Sequence, residues 1–263
     1  MNYGLYVSAS GVMVNAHRQD VLANNLANVN TAGFKPMFTD IRQRQAEAIE
    51  DSSVGFDLSN AMLDRLGGGV FGNAQRVDFT AGAPVKSDNP LDAALTEDNA
   101  FFVVQTTNPI TGEQGVALTR SGQFMQNNAG ELVTLTGHRV LNDAGEPIVI
   151  EAAKALIDSN GAVQLTDNEG NSLGAEKLQI VRADLNQLKP SGRNLFEMTG
   201  GDSRQPIEYP VLKPKHYESS GTSAIQTMMQ IVEATKAATG NAKMIQYHDQ
   251  MLNASINTFA RLA

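Results

Sequence analysis

"DVLANNLANVNTAGFK", residues 20–35, places Asn24, Asn25, Asn28 and Asn30 at the end of a segment that otherwise repeats like a helix. Asparagine is a weak helix former because its amide competes for nearby backbone hydrogen bonds. Upstream, Leu5, Ala9, Val12, Ala16, Gln19, Leu22, Leu26 and Val29 recur at steps of three and four. That spacing predicts a helix from about residue 3 to about residue 32 with one narrow apolar stripe. Gly33 reads as the helix stop and the point where the chain exits, and Pro36 prevents resumption.

The opposite end of the chain repeats the pattern at greater length. From Ser223 to about Arg261, Ile225, Met229, Val232, Lys236, Thr239, Lys243, Ile245, Met251, Ile256 and Phe259 fall near one helical face. Met228, Met244, Leu252 and Leu262 broaden it, and Ser223 with Gln226 has capping-box spacing. The stripe weakens near Gly240. Methionine adapts to several packing geometries, which suits a helix that meets non-equivalent neighbours.

Between the helices the period changes. "FFVVQTT" (101–107), "GVALTR" (115–120), "ELVTLT" (131–136), "HRVL" (138–141), "PIVI" (147–150), "AVQL" (162–165) and "LQIVRA" (178–183) read as short strands. Turn signals separate them, among them Asn127-Asn128-Ala129-Gly130, Asp143-Ala144-Gly145 and Ser159-Asn160-Gly161. The expected class is α+β. Two long terminal helices form a coiled-coil-like layer, and an all-β domain is inserted through a flexible connector. The expected boundaries are 1–35 for the N-terminal helix, 36–74 for the connector, 75–215 for the β-rich outer domain and 216–263 for the C-terminal helix, which packs with residues 1–35. Gly67-Gly68-Gly69 lies in the connector, with a short helix expected at Ala61–Leu66. Narrow stripes bury little against the entropy of ordering such long segments, so the helices call for further neighbours, most simply copies of the same chain.

Composition narrows the chemistry. The 263 residues carry a net charge of −8 and no basic run, which argues against nucleic acid as a partner. With no cysteine there is no disulfide, thiolate metal site or cysteine nucleophile. The longest apolar run, Ala100–Val104, is far too short to insert in a membrane as a helix, and no lysine or arginine precedes Arg18, as a cleaved signal peptide would require. His17, His138, His216 and His248 show no metal-ligand spacing, and neither a nucleophile elbow nor a phosphate-binding loop occurs. No catalytic residue, cofactor or metal is expected. Asp92, Glu97, Asp98, Glu113, Glu131, Asp143 and Glu146 leave one enzymatic alternative open, a secreted peptidoglycan-acting domain with helical docking tails.

"ANNLANVNTAGFK" (Ala23–Lys35) closely resembles the signature of the flagellar rod and hook protein family. "NPLDAALTEDNAFFVVQTT" (89–107), "LTRSGQFMQNNAGELVTLTGHRVLNDAGEPIVI" (118–150), "LKPSGRNLFEMT" (188–199) and "MMQIVEATKAATGNAKMIQYHDQML" (228–252) extend the likeness over most of the chain. The resemblance implies a structural subunit of the basal-body rod, the periplasmic drive shaft between motor and hook. It also implies export by the flagellar type III apparatus without a cleaved signal. The implied partners are copies of itself, other rod subunits, the export apparatus and the ring around the rod. "PLDAAL" (90–95) and "MNYGLYVSASG" (1–11) are closer to the proximal rod type. Glu97-Asp98-Asn99-Ala100 stands before Phe101-Phe102 where the distal type has glycines, and the alternative is a distal-rod or hook-like subunit.

Subunit contacts are expected at Leu22, Asn24, Asn25, Leu26, Asn28, Met228, Met229, Val232, Met244, Met251 and Leu252. An amide donates and accepts at once, which suits crowded helices. "YESSGTS" (217–223) departs from the family's Leu-Glu-x-Ser-Asn-Val-Asn-like run, with Gly221-Thr222 in place of Asn-Val. A looser approach to the last helix is expected there.

Overall fold

The computed structural model describes residues 3–43, 69–107, 114–150, 154–167, 172–199 and 204–259. The chain divides into two compact units. The first comprises Met1–Ala27, Met37–Arg76 and Ser223–Ala263, the second Asn28–Pro36 and Val77–Thr222. The expected short helix at Ala61–Leu66 lies outside the described residues.

The first unit holds α1 (Tyr3–Ala27), β1 (Met37–Gln43), β2 (Val70–Val77) and α2 (Ala224–Phe259). The helices run antiparallel. Gly4 lies beside His248 and Gly11 beside Asn241. Further along, Arg18 pairs with Glu233 at 3.8 Å, and Gln19 donates to the Thr235 hydroxyl at 3.0 Å. A Cβ on Gly4 would stand 2.6 Å from His248 Nε2, and one on Gly11 would overlap the Asn241 amide. Close approach therefore rests on missing side chains, and the buried face of α1 is Ser8, Gly11, Val14, Val21, Leu22 and Asn25.

On α2 the buried and half-buried positions include Thr227, Ile231, Ala234, Ala238, Asn241, Ile245, His248 and Leu252, which recur at alternating steps of four and three. Neither stripe expected from apolar periodicity coincides with the buried faces, because glycine, serine, alanine and asparagine make much of the contact. The ends of the expected connector are ordered: β1 and β2 pair in a two-stranded sheet, and the Val70 N–H donates to Ser10 Oγ at 3.3 Å.

The second unit is the inserted β domain. It carries β3 (Pro84–Lys86), β4 (Ala93–Leu95), β5 (Ala100–Thr107), β6 (Gln114–Thr119), β7 (Phe124–Gln126), β8 (Leu132–Thr134), β9 (Arg139–Val140), β10 (Lys154–Ile157) and β11 (Ala162–Thr166). Then follow β12 (Ser172–Lys177), β13 (Ile180–Arg182), β14 (Leu188–Gly192), β15 (Leu195–Met198), β16 (Gln205–Pro206), β17 (Leu212–Pro214) and β18 (His216–Glu218). The main sheet runs β14-β15-β6-β5-β9-β8-β7, with β13 bridging β5 and β16.

Strand β5 explains the unbroken apolar run Ala100–Val104. Ala100, Phe102 and Val104 enter one core with Phe124, Leu132 and Ile148, while Phe101 and Val103 enter a second with Phe79, Leu118 and Phe196. Both faces of this strand are covered, so alternation disappears. The three turn signals are turns: Gly130, Gly145 and Gly161 donate to the carbonyls of Asn127, Asn142 and Asp158. "PIVI" is not a strand; it contributes only isolated bridges at Pro147 and Val149.

Candidate assembly surface

The asparagine-rich stretch does three different things. Helix α1 ends at Ala27, earlier than expected, and Gly33 is not the residue that stops it. Asn28–Asn30 form a turn, in which Thr31 donates its N–H to the Asn28 carbonyl at 3.1 Å and its hydroxyl to Asn28 Oδ1 at 3.2 Å. This local bonding offers the backbone an alternative to the helix. Before the turn, the buried Asn25 accepts from the Met37 N–H at 2.9 Å and donates to the Met37 carbonyl at 2.5 Å. A single amide thus completes both backbone groups of the residue at which the chain rejoins the first unit.

Residues 28–36 belong to the β domain. Gly33 has φ of +65°, and a Cβ there would stand 2.5 Å from the Arg120 carbonyl group, so glycine is required twice over. Its N–H donates to the Glu218 carbonyl at 2.8 Å, and Gly221 N–H returns a bond to the Phe34 carbonyl at 3.0 Å. The exit and return segments of the domain are therefore laced together.

Under this lacing lies a buried charge cluster. Glu218 Oε1 accepts from Lys35 Nζ at 2.6 Å and from the Gly82 N–H at 2.7 Å, and Oε2 accepts from Arg120 Nε at 2.9 Å. Lys35 also donates to the Thr80 carbonyl, and Arg120 Nη1 to the carbonyls of Glu97 and Ala100. All three charged side chains are buried. Burial pushes the Lys35 ammonium below the usual lysine value, while Glu218 opposes that fall.

In the sequence Glu218 stands only as part of "YESSGTS", and no local signal points to its partners, 98 and 183 positions away. Gly221 admits Pro36 so closely that a Cβ would stand 2.9 Å from its Cδ.

The residues expected at subunit contacts divide by exposure. Leu22 and Asn25 are buried in the first unit, where they serve their own chain. Leu26, Asn28 and Leu252 are half-buried, and Asn24 is exposed. Met228, Met229, Val232, Met244 and Met251 are all exposed, Met229 by 68%. Ile225 at 74%, Tyr247 and Ile256 extend this apolar surface along α2. The apolar face selected by periodicity is largely the outward face of the helix. Lys236, Thr239 and Lys243 interrupt it midway. Among the described residues no group of His, Asp or Glu could hold a metal ion.

Large apolar side chains thus remain exposed on a helix that has already buried one stripe, an uncommon arrangement for a lone soluble chain. Known proteins point the same way. The family described as flagella basal body rod protein matches residues 5–35, from the start of α1 to Lys35. Flagellar basal-body rod protein FlgG of Caulobacter vibrioides is 29% identical over 266 residues, covering 95% of this chain and 97% of the relative. FlgG of Bacillus subtilis is also 29% identical, over 96% of this chain and 97% of its own length. Flagellar basal-body rod protein FlgF of Caulobacter vibrioides is 27% identical over the full length of both. Over nearly its whole length this chain is similar to flagellar basal-body rod proteins.

Proposed function

We propose that the chain is a structural subunit of the bacterial flagellar basal-body rod. The observation that carries this reading is the second face of α2, where Ile225, Met228, Met229, Val232 and Met251 stay exposed beside a completed internal stripe. On this reading the face packs against a different face of the next copy, a heterologous contact that extends into a helical tube rather than closing. Asn24, Leu26, Asn28, Met244 and Leu252 border the contact.

The finer assignment rests on the chain's own residues. Glu97-Asp98-Asn99-Ala100 ahead of Phe101-Phe102 favours the proximal type. Export through the flagellar type III apparatus and a periplasmic position, within the ring that surrounds the rod, complete the reading. A catalytic role is not proposed: Glu97 and Glu131 are spent in ion pairs with Arg182 and Arg139, and Asp92 is buried on the Asn89 amide.

Purifying basal bodies from cells that carry a tagged copy tests this directly. The tag is expected in the rod, at its motor-proximal part. A tag confined to the cytoplasm would refute the reading, and one at the distal end would replace the proximal assignment.

A further inference from the structure

A second surface feature lies wholly within the β domain. Strands β14 and β15 are joined by a two-residue turn whose central residues, Arg193 and Asn194, both have positive φ, +48° and +60°. Such turns favour Asn-Gly, so an arginine there holds a conformation that its side chain disfavours. The turn lines a cavity of about 240 Å³ together with Asn30 and Thr31 of the asparagine-rich stretch, Leu135 and Thr136. Asn194 donates to the Ala32 carbonyl at 2.9 Å, which ties the turn to that stretch.

The cavity is incompletely satisfied. Asn194 Oδ1 is buried with no partner among the described residues. Arg193 is exposed and forms no ion pair among the described residues. Leu135 is 61% exposed. An unpaired cation, an acceptor lacking a donor and an apolar edge together fit a protein segment that offers a carboxylate, an N–H or O–H group and an apolar side chain.

We propose that this cavity receives an acidic segment of a second copy of the chain, with Arg193 pairing to its carboxylate. The inference rests on the rod reading above. A like copy can supply the carboxylate: each chain has 28 Asp and Glu against 20 Lys and Arg, so every subunit that offers this local cation also offers carboxylates to meet it. The contact is distinct from the α2 face and would join subunits through their β domains.

Three variants of the full-length protein test it in cells lacking the native copy. Arg193→Gly suits the positive φ and keeps the hairpin while removing the cation; Arg193→Glu reverses the charge; Arg193→Lys retains it. The first two are expected to lower incorporation into purified basal bodies at least tenfold with an unchanged or raised Tm, and the third to retain most of it. A photocrosslinking residue at Leu135 is expected to join a second copy through a peptide containing Asp or Glu. Wild-type incorporation by Arg193→Gly, or crosslinks solely to other proteins, overturns the proposal while leaving the rod reading intact. Absence of the wild-type chain itself from basal bodies overturns the rod reading, and this one with it.

Discussion

Lys35 and Glu218, 183 positions apart, meet at 2.6 Å inside the β domain and close the loop between its first segment and its last strand. Because Arg120 shares the same carboxylate, the cluster holds two cations on one anion. Removing the anion is therefore worse than removing one cation. Glu218→Gln leaves two buried cations facing each other and should cost about 3–5 kcal/mol. Lys35→Met leaves a neutral Arg120–Glu218 pair and fills the space with an apolar chain, so its cost should be smaller. Urea unfolding of the two variants checks the order; an equal or reversed order would contradict it.

Gly33→Ala tests the exit segment. The positive φ alone costs about 1–3 kcal/mol, and the overlap with the Arg120 carbonyl adds to it. The expected signature is faster hydrogen exchange at the Gly33 and Gly221 amides, which bond to Glu218 and Phe34.

Asn25→Ala removes the donor and the acceptor that Met37 uses, at an expected cost of about 1–3 kcal/mol for the buried backbone groups left behind. Asn25→Asp keeps the acceptor but sets a carboxylate against the Met37 carbonyl, so it should not rescue. Exchange at the Met37 amide reads both.

His138 supplies a pH dependence. Burial first, and the charge of Arg193 second, hold its pKa below the ordinary value of 6.5. The unfolded chain then takes up the proton before the folded one does. This contribution is complete above about pH 6.5 and is lost as the pH falls from there to the folded-state value. His138→Gln should flatten that part of the stability profile, as measured by Tm between pH 5 and 8.

Much of this architecture was legible in the sequence. Terminal helices show in periodicity, and the β domain shows in its turn residues and in the run Ala100–Val104. The pairing faces of the helices were not legible, because Gly4, Gly11, Ser8 and Ala234 contribute contact without hydrophobic signal. The end of α1 was misplaced because Gly33 looks like a helix stop, although its conformation answers to Arg120, 87 positions away. The methionines of the proposed interface stand out in the periodicity, and the structure leaves them exposed. The bonds of Asn25 to Met37 were not legible, because an amide bonded to its own chain and one bonded to a neighbour have the same sequence.

Met229→Lys with Val232→Lys probes the exposed face of α2 without touching the stripe that packs on α1. The double variant is expected to keep the melting temperature of the wild-type β domain, to accumulate normally, to be absent from purified basal bodies and to leave cells non-motile. Recovery of the double variant in basal bodies at wild-type amounts would contradict it.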